Sequence, residues 1–131
     1  MNPEVERERA WVCIVDDDAS VRKSLANLLR ATGFGALLFG SGEEFLASTL
    51  AREAGCALLD LKMPGLSGLD VLRELARRGW RLPVVCMSAH WDDMALKAAQ
   101  RHGAVACLGK PFSEEALLAA VEVALAGARA D

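Results

Sequence analysis

Five short apolar runs punctuate the chain, at residues 11–15, 36–39, 57–59, 84–87 and 105–108. None alternates apolar with polar residues. Segments of this kind are built to be covered on both faces, as strands of a parallel sheet are. Between them the spacing turns helical. Val21, Leu25, Leu28 and Leu29 share one helix face, and Gly33 follows as a stop. Ser41-Gly42-Glu43-Glu44 is a capping-box pattern that predicts a helix through about residue 50. Leu69, Leu72, Leu75 and Ala76 make a third stripe, closed by Gly79. Residues 92–102 make a fourth, alanine-rich and weakly patterned, capped by Gly103 and expected to pack least firmly. The fifth opens near Ser113, a capping residue, with Glu114 and Glu115 complementing the helix dipole and Leu117, Val121 and Leu125 at four-residue steps. Strand and helix therefore alternate five times. That order predicts a doubly wound α/β sandwich around a five-stranded parallel sheet with right-handed crossovers. Residues 1–10 read as a solvated tail, 11–126 as one domain and 127–131 as a short C-terminal tail.

Composition narrows the class. At 131 residues and 53% hydrophobic, the chain is long enough to bury a sizeable core in one domain and too apolar to be disordered. A net charge of −3 gives no drive toward nucleic-acid phosphates, so direct nucleic-acid binding is not expected. No apolar run approaches the roughly 20 residues needed to span a bilayer. The opening MNPEVERERA carries no apolar signal segment, so no membrane association and a cytoplasmic location are expected. Cys13, Cys56, Cys86 and Cys107 form no CxxC pair and have no histidine at ligand spacing. Each lies in or beside an apolar run, which favours buried free thiols over a zinc site or a disulfide framework.

In an open parallel sheet the site lies beyond the carboxyl ends of the strands. The first run is followed by Asp16-Asp17-Asp18, the third by Asp60, the fourth by Ser88-Ala89 and the fifth, after Gly109, by Lys110-Pro111. Asp16, Asp17 and Asp60 bring three negative charges to one rim, and Lys110 returns one. A cluster of this sign repels itself or takes up protons unless a cation joins it. Oxygen ligands without histidine or thiolate suit a hard ion, and an incomplete carboxylate set suits Mg2+ with retained waters. Such a rim also suits an incoming phosphoryl group: metal and ammonium neutralise its oxygens, a hydroxyl bonds one of them, and an aspartate can act as nucleophile. Asp18 reads as a helix N-cap and His102 as a helix C-terminal residue. His90 lies near the rim but pairs with no nucleophile.

These residues stand in recognisable motifs: IVDDD at 14–18, LLDLKMPGLSGLDVL at 58–72, MSA at 87–89 and GKPF at 109–112. The chain resembles the receiver domain of bacterial two-component response regulators over nearly its whole length, and most of all the receivers of FixJ-type transcriptional regulators. The resemblance implies the flavodoxin-like, CheY-like fold. It implies that Asp60 accepts a phosphoryl group from the phosphohistidine of a sensor histidine kinase. Asp16, Asp17, Asp60 and the backbone carbonyl of Lys62 would hold Mg2+. Ser88 would bond the phosphoryl oxygens past the small Ala89, and Lys110 would pair with Asp60 before phosphorylation. The bond before Pro111 is expected to be cis. The chain is expected to be a phosphorylation-controlled switch with slow self-dephosphorylation rather than an enzyme. Its output is expected to pass to a homodimer or partner protein through the fourth helix, fifth strand and fifth helix.

One position departs. Three residues before the lysine, most receivers carry Tyr or Phe; here it is Cys107, so the readout is expected to pass through Ser88 and the loop holding His90 and Trp91. FixJ-type regulators also carry a helix-turn-helix output domain, whereas this sequence stops at Asp131. A stand-alone receiver and a piece of a longer regulator both stay open. Other functions fit less well. A receiver-fold interaction module signalling weakly or without phosphorylation does not need the full acidic, serine and lysine set. A phosphatase with an aspartate nucleophile generally carries a second Asp two residues on, where Lys62 stands. A flavodoxin-like electron carrier needs a phosphate loop that does not follow the first strand.

Overall fold

The computed structural model describes residues 10–130, with side chains through residue 127. The tail expected over residues 1–10 lies, apart from Ala10, outside the described residues. The elements alternate as strand β1 (Trp11–Val15), helix α1 (Ala19–Ala31), β2 (Gly35–Phe39), α2 (Gly42–Ala47), a 3-10 turn (Leu50–Glu53), β3 (Cys56–Asp60), α3 (Gly68–Arg77), β4 (Val84–Ser88), α4 (Asp93–Arg101), β5 (Ala104–Gly109) and α5 (Glu114–Ala130). The strands form one parallel sheet in the order β2-β1-β3-β4-β5. Both sides are covered, as the unalternating strands require. Cys13, Val15, Leu59, Val84 and Cys86 pack under Phe45, Val71, Leu72 and Leu75 of α2 and α3. Val12, Ile14, Leu58, Val85 and Met87 pack under Leu25, Leu29, Leu117, Val121 and Leu125 of α1 and α5. Of the three inner strands, β3 and β4 are buried along their whole length. Their carboxyl ends carry Asp60 and Ser88.

The strands lie where the apolar runs predict them, within a residue or so at each end. The helices differ in three places. α2 stops at Ala47 rather than near residue 50, because the chain turns at Ser48, whose hydroxyl accepts from the Ala51 amide to open the 3-10 turn. Its Ser41 caps Glu44, but the Glu44 carboxylate turns back to the Gly40 amide, so the box is open on one side. On α3 the buried face is Val71, Leu72 and Leu75, with Leu69 half-buried and Ala76 exposed. α5 runs on to Ala130, so residues 127–130 are helical and not the separate tail expected from 127. Ala128, Arg129 and Ala130 are all good helix formers, and they carry the helix past Gly127.

The four cysteines are free. Burial pushes the thiols of Cys13, Cys56 and Cys86 up to about 12, and raises that of the partly exposed Cys107. The three buried thiols serve as small apolar packing groups.

Candidate functional site

The acidic rim is assembled by the ends of β1, β3 and β5. Beyond β1 the chain is fixed residue by residue. The Asp16 amide donates to the Phe39 carbonyl of β2 at 3.1 Å. One oxygen of the fully buried Asp16 carboxylate accepts from the Asp18 amide at 2.9 Å. Asp18 is the N-cap of α1, accepting from the Ser20 and Val21 amides, so it faces the helix and leaves the rim to its two neighbours. Asp17 is exposed.

Arg22 completes this corner, and sequence reasoning passed it over. Its guanidinium donates to the Asp16 carbonyl at 2.7 Å. The signal was available: an arginine in the first turn of a helix opposes the helix dipole, which marks a side chain held by a specific partner.

Asp60 closes β3 and is almost fully buried. Its position depends on the start of α3. A Cβ on Gly68 would stand 2.6 Å from the Asp60 carbonyl oxygen and the Leu61 Cα, so only glycine lets α3 begin directly under the strand end. A true capping box, Ser67 with Asp70, holds that start in place.

One oxygen from each of Asp16, Asp17 and Asp60 lies within 4.8 Å of the others. Lys110, which precedes a cis bond to Pro111, reaches into the same group. Its ammonium donates to Asp16 at 2.8 Å and lies 3.7 Å from Asp60. The expected pairing with Asp60 is thus the longer of two, and Asp16 is the principal partner. Burial raises the pKa of Asp60, and the Asp16 charge adds to the rise; Lys110 and the Lys62 amide, which donates at 3.3 Å, offset it in part. For Lys110, burial works to lower the pKa, but the hydrogen bond to Asp16 and the charges of Asp60 and Asp16 outweigh it and raise it. The rim therefore holds more negative charge than its one ammonium neutralises. That imbalance, with oxygen donors converging from two strand ends, fits a hard divalent cation. Lys62 enters the geometry through its amide.

Ser88 ends β4, one residue beyond Met87, the register partner of Asp60. Its hydroxyl is engaged with its own loop, donating to the His90 carbonyl and accepting from the His90 amide. The Ser88 carbonyl accepts from the Lys110 amide at 2.8 Å, which ties the ends of β4 and β5 together. His102 is the C-cap of α4, remote in role from this group, and His90 contributes backbone alone. Beside the rim, α1 and the turn after β5 enclose a largely apolar groove of about 560 Å³, reached by Val21, Leu25, Lys110 and Phe112.

Comparison with known proteins points one way. Residues 12–122 match the family described as response regulator receiver domain. Nodulation protein W of Bradyrhizobium diazoefficiens is 43% identical over 116 residues, covering 88% of this chain and 51% of that protein. The transcriptional regulatory protein FixJ of Azorhizobium caulinodans is 40% identical over 114 residues, covering 87% and 54%. The chain spans about half the length of these curated relatives. Among solved structures, the crystal structure of FixJ-N superposes with a TM-score of 0.83 at 35% identity, over 90% of this chain and 94% of that one. The response regulator StyR superposes at 0.79 with 38% identity, over 92% and 62%. None of the described helices is long and apolar enough to cross a membrane.

Proposed function

The chain belongs to the response regulator receiver family, and on that premise we propose that it is a magnesium-dependent phosphoacceptor, loaded at Asp60 by a sensor histidine kinase and read out as a signalling switch. The observation that carries this reading is the convergence of Asp16, Asp17 and Asp60 within 4.8 Å, with Lys110 2.8 Å from one member. Asp60 supplies the nucleophile. Its carboxylate oxygen forms the new bond to phosphorus as the bond to the donor's imidazole nitrogen breaks. Burial beside Asp16 disfavours its ionised form, so the oxygen loses little when a phosphoryl group takes it up. Asp16, Asp17, Asp60 and the Lys62 carbonyl are the groups that would hold Mg2+; when bound, it neutralises phosphoryl oxygens and the carboxylates that face them. Lys110 is positioned to exchange Asp60 for a phosphoryl oxygen while keeping Asp16. Ser88 supplies a hydroxyl donor once released from His90. Nothing in this set turns over a general phosphate ester; slow loss of the phosphoryl group to water is the expected end of each cycle.

The apolar groove beside Lys110 suits the approach of a kinase helix. Met94 of α4, Val105 of β5 and Val123 of α5 are each exposed, which supports use of these elements by a second copy or an output protein. The chain's net charge of −3 supports protein rather than DNA as its direct partner.

The test is intact mass after incubation with acetyl phosphate and Mg2+. The chain should gain one phosphoryl group, and Asp60→Asn should gain none. Labelling that persists in Asp60→Asn, or proceeds equally without a divalent ion, contradicts the proposal.

A further inference from the structure

A tryptophan links the loop after Ser88 to β5. The Ser88 hydroxyl donates its single proton to the His90 carbonyl and accepts from the His90 amide, both at 3.1 Å. It cannot also donate to a group arriving at Asp60, because a hydroxyl has one proton to give. Loading therefore turns that proton away from the His90 carbonyl and frees the carbonyl, while the His90 amide can still donate to the same oxygen. The next residue, Trp91, holds the far end of that loop: its indole N–H donates to the Leu108 carbonyl of β5 at 2.8 Å. The half-buried ring packs against the same apolar layer as Cys107 and Ala104, and stands 3.8 Å from where a Cβ of Gly109 would lie. Gly109 leads directly into Lys110. Trp91 thus spans from the Ser88 loop to the strand end that carries the lysine.

The helix beyond Trp91 is weakly held. α4 begins at Asp93, and Ala99 is its one buried residue. Within the first turn Asp92 caps the Ala95 amide, and just before it the indole ties the chain to β5. Exchanging the indole's bond to the Leu108 carbonyl for a bond to water has a small net cost.

We propose that Trp91 is a positioning residue that latches the Ser88 loop to β5 in the unloaded state, and that loading of Asp60 releases it and with it the first turn of α4. This rests on Asp60 being the phosphoacceptor, and the experiment separates the two claims. The full chain is labelled with 5-fluorotryptophan and titrated with beryllofluoride, a phosphoryl mimic, in the presence of Mg2+. Fluorine spectra report both events at once: a bound-fluoride signal that is lost in Asp60→Asn shows that Asp60 is loaded, and the indole signals, assigned by single Trp→Phe variants, show which ring responds. The expected result is a bound-fluoride signal with a shifted Trp91 resonance, while Trp11 and Trp80 stay in place. Trp91→Phe keeps a ring but has no donor, so it loosens the latch and should raise the apparent beryllofluoride affinity about fivefold, the worth of one hydrogen bond. The unshifted Trp11 and Trp80 signals of that variant report its fold. Bound fluoride with a stationary Trp91, or an affinity unchanged or lowered in Trp91→Phe, overturns the latch and leaves the phosphoacceptor reading standing. Absence of bound fluoride overturns that reading and the latch together.

Discussion

Asp60 is buried at the end of β3 with Asp16 and Asp17 beside it and Lys110 3.7 Å away, and its pKa is raised in consequence. A carboxyl whose folded pKa lies above its unfolded value destabilises the fold when ionised, and the penalty is relieved as pH falls through the folded pKa. Asp60→Asn removes that charge and keeps the shape. Without divalent ions it should melt above the parent protein at neutral pH, and the difference should shrink as the solution is acidified through the raised pKa. Paired thermal melts across that range check the sign; an Asn variant that melts below the parent at neutral pH contradicts it. Most of the residues of this site were legible in the sequence, since each stands just after an apolar run. Their pairing was not. Nothing in the spacing says that Lys110 sits 2.8 Å from Asp16 and 3.7 Å from Asp60, because that is decided by side-chain reach across the rim. For Arg22 the sequence signals its unusual place at the start of α1 but not its partner, a backbone carbonyl that no motif records.

The elements themselves were legible to different degrees. Strands declared themselves because both their faces are buried, and continuous apolar runs have little other use. Helix ends were harder. α2 stops where the Ser48 hydroxyl captures the Ala51 amide, a local bond that competes with one further helical turn. The buried face of α3 includes Val71 in place of Ala76, a difference of rotation that periodicity alone does not fix. The junction of β3 and α3 carries the sharpest constraint. At Gly68 an added methyl would meet backbone atoms at 2.6 Å, and backbone does not move aside as a flexible side chain does. Gly68→Ala should cost about 1–3 kcal/mol, the usual range for overpacking a tight contact. It should also displace Asp60. Denaturant unfolding measures the first effect and phosphoryl labelling the second; an alanine variant equal to the parent in both would show that the junction is loose.

On the scale of the whole molecule, five strands in the order β2-β1-β3-β4-β5 bring residues from positions 16 to 110 to one end of the sheet. The sheet supplies the rigid frame, and the excess negative charge at its end sets the demand for a cation. Binding to the folded state alone stabilises by mass action, about 2.7 kcal/mol at a hundredfold excess over Kd. Mg2+ should therefore raise the melting temperature of the parent protein, whereas Asp17→Asn should lose most of that gain and melt at or above the parent without metal. Equal stabilisation by Mg2+ in both proteins would place the ion elsewhere. Loading as proposed makes one bond, between a carboxylate oxygen at the end of β3 and phosphorus. Borohydride reduces an acyl phosphate to an alcohol and so marks the aspartate that carried it. After phosphorylation with Mg2+ and acetyl phosphate, reduction and peptide mapping should find homoserine at position 60 and aspartate at 16 and 17. Homoserine at 16 or 17, or at none of the three in a protein that has gained phosphoryl mass, would contradict the account.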